Sequence, residues 1–229
     1  MLPPAGLRIL AVEQCGAGPF GSMQLADMGA EILKIENPRD GGDVSRHVGP
    51  FHLGEDDSHF FQAFNRNKRS IALDLRGAEG QAVFADLAAG SDAVLDNLRG
   101  DQAPRLGVTF PQLQKTNPRI VCAHLSAYGR TGARADWPGD DYLMQAEAGY
   151  LSLTGEPAGP PARFELSVVD MMAGLYTAPA FRFPNETIPR AATSEFGADT
   201  DGVLRDTSYD AARIARLRAA GTIGPMRKK

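Results

Sequence analysis

The residues best suited to chemistry fall into three groups. Gly16, Gly18 and Gly21 fit the pattern G-x-G-x-x-G, and Glu36 follows 20 residues after Gly16. That is the spacing of a dinucleotide-binding turn, in which glycines let the backbone approach a pyrophosphate and the acid takes a ribose hydroxyl. Pro19 and Phe20 inside the turn count against it, because a bulky ring restricts that approach. The second group, Asn65-Arg66-Asn67-Lys68-Arg69-Ser70, sets three cations just before an apolar run. It reads either as a solvated charge run or as a phosphate clamp held by rigid neighbours. The third is Asp170, which precedes the apolar stretch Met171-Met172-Ala173-Gly174-Leu175 and reads as a helix N-cap or as a functional acid.

These residues need a frame. An apolar run from Leu7 to Val12, the Gly-rich turn, a helical pattern closed by Gly29 and a second apolar run ending at Glu36 predict strand, helix, strand. The two strands should be parallel, with a right-handed crossover. The turn then lies at a helix N-terminus, whose free N–H groups favour anions. Residues 37–70 are polar with little periodicity, which predicts a ligand-covering loop. A strand over Ile71–Leu75, a helix over Ala78–Ala89 stopped by Gly90, a strand over Ala93–Leu95, a short helix over Phe110–Lys115 and a strand over Ile120–Leu125 follow. This alternation predicts an α/β fold: a Rossmann-like, mostly parallel sheet with helices on both faces. Ligands belong beyond the carboxyl ends of such strands, where Gln14–Gly18, Asn97–Arg99 and Ser126–Arg130 would open. Asp140 and Asp141 suit the first turn of a further helix. Residues 1–178 are expected to form the large domain. Residues 179–229 should hold an extended, proline-bearing crossing segment and a helix over Ser208–Ala220 that docks on the large domain or on a partner subunit.

Composition narrows the partners. A net charge of -4 and a pI near 5.6 leave no basic footprint for nucleic acid, and Arg227-Lys228-Lys229 reads as a solvated tail. Cys15 and Cys122 lie far apart without C-x-x-C spacing, which argues against zinc and a disulfide scaffold and fits a reduced, cytoplasmic setting. No metal is expected. Neither a signal peptide nor a run of ~18 apolar residues is visible, so no membrane partner is expected.

Several ordered stretches carry a resemblance. They are Ala17-Gly18-Pro19 with Leu25-Ala26-Asp27-Met28-Gly29-Ala30-Glu31, Lys34-Ile35-Glu36-Asn37-Pro38, Asn65 through Leu75, Asp96-Asn97-Leu98-Arg99, Ser126-Ala127-Tyr128-Gly129, Asp141 with Gln145-Ala146, Leu153-Thr154-Gly155-Glu156, and Val169-Asp170 with Gly174. In these the chain resembles the class III CoA-transferase family, the CaiB/BaiF or formyl-CoA transferase-like group. The resemblance implies that Asp170 is a nucleophile attacking an acyl-CoA thioester. A mixed anhydride, then an aspartyl-CoA thioester, then transfer to a carboxylic acid acceptor would follow. It also implies a coenzyme A site lined by Gln14, Cys15, Gly16, Ala17 and Gly18, approached by Lys68 and Arg69 at the phosphates and flanked by Asn97, Leu98, Arg105 and Tyr128. Glu36 becomes a structural or loop-anchoring acid. Backbone N–H groups near the Gly-rich segments would stabilise the oxyanion. A sister branch, the 2-methylacyl-CoA racemases, places a histidine near Asp140-Asp141-Tyr142. This chain has none there, so transfer is favoured over proton exchange, which needs a second base.

The resemblance skips from near Ala178 to the C-terminal portion. A middle segment of roughly 170 residues, the size of a whole domain, is passed over, and with it the family's second, smaller domain. A homodimer is expected, but not the interlocked one that the full-length ring makes. A non-catalytic, CoA-binding remnant and a nicotinamide-dependent oxidoreductase stand as the alternatives.

Overall fold

Alternation along the first two strands decides the layering. The computed structural model describes residues 5–177 and 196–224. In it, β1 (Arg8–Val12), α1 (Ala17–Asp27) and β2 (Glu31–Glu36) form a parallel pair with α1 as the crossover. Gly29 holds a φ of 94° behind α1, a conformation that strains any side chain, and so reverses the chain directly into β2. Ile9 and Ala11 pack with Leu25 and Ala26 of α1, whereas Leu10 and Val12 face the opposite cluster around Val83, Phe84 and Leu87. Both faces are therefore covered, as a parallel sheet requires.

A short hairpin, β3 (His52–Gly54) and β4 (Asp57–Ser58), and α2 (His59–Asn65) precede β5 (Lys68–Ala72). Then come α3 (Ala78–Ala89), β6 (Ala93–Asp96), α4 (Gln102–Arg105), α5 (Phe110–Leu113) and β7 (Val121–His124). The five long strands are ordered β5-β2-β1-β6-β7, every pairing parallel. The order reverses between β1 and β6, so the crevice beyond their carboxyl ends is the natural ligand position.

The segment expected to be a covering loop is instead a pinned layer. Asp43 accepts from Ser45 N–H to start a 3-10 turn over Val44–His47, and Ser58 caps α2 by accepting from Phe61 N–H. Arg46, 1% exposed, places its guanidinium 2.7 and 2.8 Å from the Glu36 carboxylate and stacks 3.7 Å over the Phe61 ring. Glu36 also accepts from Ser70 Oγ at 2.6 Å and Asp43 N–H at 2.9 Å. These elements are too short to show a period, and local caps rather than patterning make them. Glu36 is thus a loop-anchoring acid and not free for a ribose.

Beside the β5 edge of the sheet, α8 (Thr200–Asp206) and α9 (Ala211–Ala219) bury Val203, Leu204, Ile214 and Leu217 in the core. Thr200 Oγ1 accepts from Ala72 N–H at 3.0 Å and Asp199 from Ser70 N–H at 2.9 Å, satisfying the free edge of β5. α8 is absent from the sequence-based expectation, being only seven residues long. Most of the expected crossing segment and the basic tail lie outside the described residues. No described helix is long and apolar enough to cross a membrane.

Candidate active site

Two glycines bring the acid to the sheet edge. Beyond β7 the chain forms α6 (Asp141–Glu147) and α7 (Val168–Thr177), and α7 lies against α1. A Cβ added to Gly174 would sit 2.7 Å from the Ala17 carbonyl oxygen, and one on Gly21 would sit 2.9 Å from the Gly174 carbonyl oxygen. The helices therefore cross backbone to backbone, and Asp170, one turn before Gly174, arrives beside Gly16. A Cβ on Gly16 would fall 2.0 Å from Asp170 Oδ2. A Cβ on Gly18 would meet Asn97 Cγ and Glu13 Cβ at 2.9 Å each. All three glycines of the G-x-G-x-x-G pattern are thus demanded by protein neighbours, which accounts for the pattern without a bound dinucleotide. The dinucleotide reading of this turn is set aside on that ground.

Asp170 is the third residue of α7, in its first turn rather than at the cap. Its N–H donates to Asp141 Oδ2 at 2.9 Å, so a carboxylate from α6 closes the start of α7. Gln145, one turn after Asp141, donates to Asp141 Oδ1 and, at 3.2 Å, to the Leu166 carbonyl, and accepts from Phe164 N–H at 2.9 Å. Asp140 caps α6 by accepting from Leu143 N–H at 2.9 Å. Burial first, then the neighbouring charges of Asp141 and Asp140, push the Asp170 carboxyl up to about 6. It is ionised at neutral pH and more basic than an exposed aspartate, which suits a carboxylate nucleophile. Cys15, at φ 65°, donates its N–H to Asp43 Oδ1 at 3.0 Å. Burial, with the charges of Asp43 and Asp170, raises its thiol to about 11, so it stays protonated and is a poor nucleophile.

Asp170 faces a cavity of about 620 Å³ whose walls include Ala17, Asn97, His124, Ser126, Asp140 and Tyr176. An adjoining pocket of about 260 Å³ is lined by Gln14, Leu98, Arg99, Tyr128 and Trp137, and the two share Asn97, Ser126, Ala127 and Gly139. Asn97 stands at the junction, fixed by two bonds to the Gln14 backbone: it accepts from N–H at 3.0 Å and donates to the carbonyl at 2.8 Å. Gln14, Ala17, Asn97, Leu98 and Tyr128 therefore come together around one groove, whereas Cys15, Gly16 and Gly18, in the adjoining turn, line neither cavity. Arg105, in α4, is exposed and pairs with Asp101 at 3.2 Å.

Lys68 and Arg69 depart from the expectation. β5 begins at Lys68, three residues before the expected strand, so both cations lie in the strand and at its amino end. Alternation sends Lys68 inward, where its ammonium meets Glu13 Oε1 at 2.8 Å, the Pro19 carbonyl at 2.9 Å and Asn65 Oδ1 at 3.1 Å. Burial pushes it down to about 8. Arg69 pairs with Glu31, the first residue of β2, at 2.8 Å. Neither residue lines the two cavities beside Asp170. Lys68 belongs to a buried charge network under the turn, in which Lys34 bonds Asp43 at 2.7 Å and the Glu13 carbonyl at 3.2 Å. Burial alone would lower the Lys34 ammonium, but Asp43, Glu13 and Glu36 hold it above its ordinary value.

His124 is a site residue without a sequence signal. It is the last residue of β7, aligned with Asp96 of β6, and its Nδ1 lies 2.5 Å from Asp96 Oδ2. A lone histidine ending a strand carries no motif. Only the strand register could have paired it with Asp96. Among the described residues no cluster of three or more His, Cys, Asp or Glu could hold a metal ion.

Comparison with known proteins agrees with this geometry. Residues 5–182 match the model of CoA-transferase family III. The chain is 36% identical over 185 residues to the succinate–glutarate CoA-transferase of Agrobacterium fabrum, covering 79% of this chain and 46% of that protein. It is 37% identical over 175 residues to the acetyl-CoA:oxalate CoA-transferase of Acetobacter aceti, covering 76% and 44%. The crystal structure of Rv3272 from M. tuberculosis superposes with a TM-score of 0.71 at 33% identity, over 78% of this chain and 49% of that one. A CaiB/BaiF family protein from Brucella suis gives 0.71 at 28% identity, over 97% and 59%. The chain thus spans about half the length of the curated relatives it matches.

Proposed function

The chain belongs to CoA-transferase family III, and from that premise we propose that it exchanges coenzyme A between an acyl-CoA and a carboxylic acid, with Asp170 as nucleophile. The observation that carries this reading is the Asp170 carboxylate set against the Cβ-less Gly16 in a cavity at the sheet's switch point. The groove also suits the coenzyme. Tyr128 leaves a buried hydroxyl without a partner among the described residues, and this residue lines the narrower pocket next to the acid. Gln14, Asn97 and Leu98 would hold the pantetheine arm between the two cavities, with Arg99 in the wall of the narrower pocket as a cation for phosphate.

In the proposed reaction the Asp170 carboxylate attacks the thioester carbonyl carbon. The C–S bond breaks, and CoA leaves as thiolate from a mixed anhydride. The thiolate then attacks the aspartyl carbonyl, releasing the donor acid and leaving an aspartyl-CoA thioester. An acceptor carboxylate repeats the exchange and restores Asp170. The first-turn amides of α1 at Ala17 and Gly18, which have no intrahelical acceptor, would serve as donors for the oxyanion. The named relatives act on succinate, glutarate and oxalate, so a small carboxylic acid is the acceptor class. Free Cys15 and Cys122 fit a reduced, cytoplasmic compartment. The exposed face of α7, with Leu175 at 49% and Tyr176 at 81%, is where a second copy would pack.

Incubating the protein with acetyl-CoA and isotope-labelled succinate tests the activity. Labelled succinyl-CoA should form with wild type and not with Asp170→Ala. A protein that binds CoA in calorimetry but exchanges no label would instead be a CoA-binding remnant.

A further inference from the structure

The cavity beside Asp170 is lined by two acids, Asp140 and Asp170, and by a single basic side chain, His124. That side chain is held rather than loose. Asp96, completely buried, takes His124 Nδ1 through Oδ2, and its other oxygen accepts from Leu98 N–H at 3.3 Å. The register of β6 and β7 places the two residues directly side by side. Nε2, on the far edge of the ring, has no hydrogen bond to any described residue. A ring fixed at one nitrogen and free at the other presents that second nitrogen with a set direction.

We propose that His124 is a specificity-determining residue whose Nε2 receives the second carboxylate of a dicarboxylic acid bound with its first carboxylate at Asp170. The proposal rests on the reading of this cavity as the acyl site. A monocarboxylate extends only an apolar tail into the remaining space. A dicarboxylate brings a second negative charge into a cavity already holding Asp140 and Asp170, and needs a cation there to offset repulsion and lost hydration. With Nδ1 bonded to Asp96, Nε2 is the nitrogen left to meet the anion, and the ring lies between two carboxylates. The charged groups facing it are Asp96 from β6, Asp140 at the start of α6 and Asp170 in α7. Asp96 then acts as a positioning residue, holding the ring without touching the ligand.

The test compares glutarate with pentanoate, which matches it in carbon count but ends in a methyl group. Binding of each to wild type, His124→Gln and His124→Lys is followed by ligand-observed NMR titration, with circular dichroism as a check on folding. Wild type should prefer glutarate by about tenfold, a difference of roughly 1.4 kcal/mol. His124→Gln should abolish the preference while leaving pentanoate binding within about twofold, and His124→Lys, which keeps a cation, should retain most of it. Equal preference in wild type and His124→Gln would overturn the proposal, as would equal loss of both ligands. Should His124→Gln fail to fold, loss of the preference in folded His124→Lys overturns it and retention supports it. Because binding is read without turnover, a failure of CoA exchange would leave this result intact and so remain distinguishable.

Discussion

Replacing Asp170 by Asn should stabilise the fold at neutral pH, and the size of the effect can be worked from the site. The carboxyl rises from 3.8 to about 6 because burial and the charges of Asp141 and Asp140 disfavour its ionised form. The native state therefore holds this proton more tightly than the unfolded chain. Below about pH 4 both states are protonated and the group costs nothing. Between about pH 4 and 6 the unfolded state ionises first, and above that the native state carries an unfavourable charge. Two pKa units correspond to roughly 3 kcal/mol, and partial solvent access reduces this to about 1–2 kcal/mol. No hydrogen bond from the Asp170 carboxylate is present among the described residues to be lost, and its N–H keeps Asp141. Reversible urea unfolding of both proteins from pH 4 to 8 checks the claim. The advantage of Asp170→Asn at pH 8 should exceed that at pH 4 by the stated amount, whatever constant offset the amide adds. A flat difference across this range, or one that shrinks as pH rises, would refute the reasoning.

Four further substitutions act on the same contacts. Asp141→Asn keeps an oxygen for the Asp170 N–H but removes the nearest negative charge, so the pH at which exchange activity reaches half its plateau should fall below the wild-type value near 6, as read from rate profiles. Gly174→Ala drives a Cβ against fixed backbone atoms of α1 and should cost about 1–3 kcal/mol in unfolding experiments, whereas Gly16→Ala meets the Asp170 side chain rather than backbone and should abolish exchange at smaller cost. Glu36→Ala strands buried Arg46 and should destabilise by about 3–5 kcal/mol, with early proteolysis in residues 37–67.

How much of this was legible depended on the range of the interactions. The β1–α1–β2 unit and α3 show in the sequence because their apolar periodicity is regular and glycine ends each helix. Asp170, Asn97 and Tyr128 could be named from family resemblance, but the reason for Gly16, Gly18 and Gly21 could not. Their spacing suits either a bound pyrophosphate or close protein contacts, and only neighbours in the fold decide between them: α7, some 150 residues later, for Gly16 and Gly21, and Asn97 with Glu13 for Gly18. Lys68 misled because charge suggests surface, whereas a strand beginning three residues early turned it into the buried partner of Glu13. The layer after β2 was hidden because Asp43, Arg46 and Ser58 act through individual hydrogen bonds that leave no period. His124 was hidden for a related reason: its partner, Asp96, lies on a neighbouring strand.

In the proposed reaction Asp170 forms a covalent bond first to the acyl group and then to CoA. Mixing the protein with acetyl-CoA, quenching with hydroxylamine and mapping peptides by mass spectrometry tests it most directly. Wild type should yield a hydroxamate at Asp170, and Asp170→Asn none. A hydroxamate at another carboxylate, or none in a protein that exchanges CoA label, would contradict it.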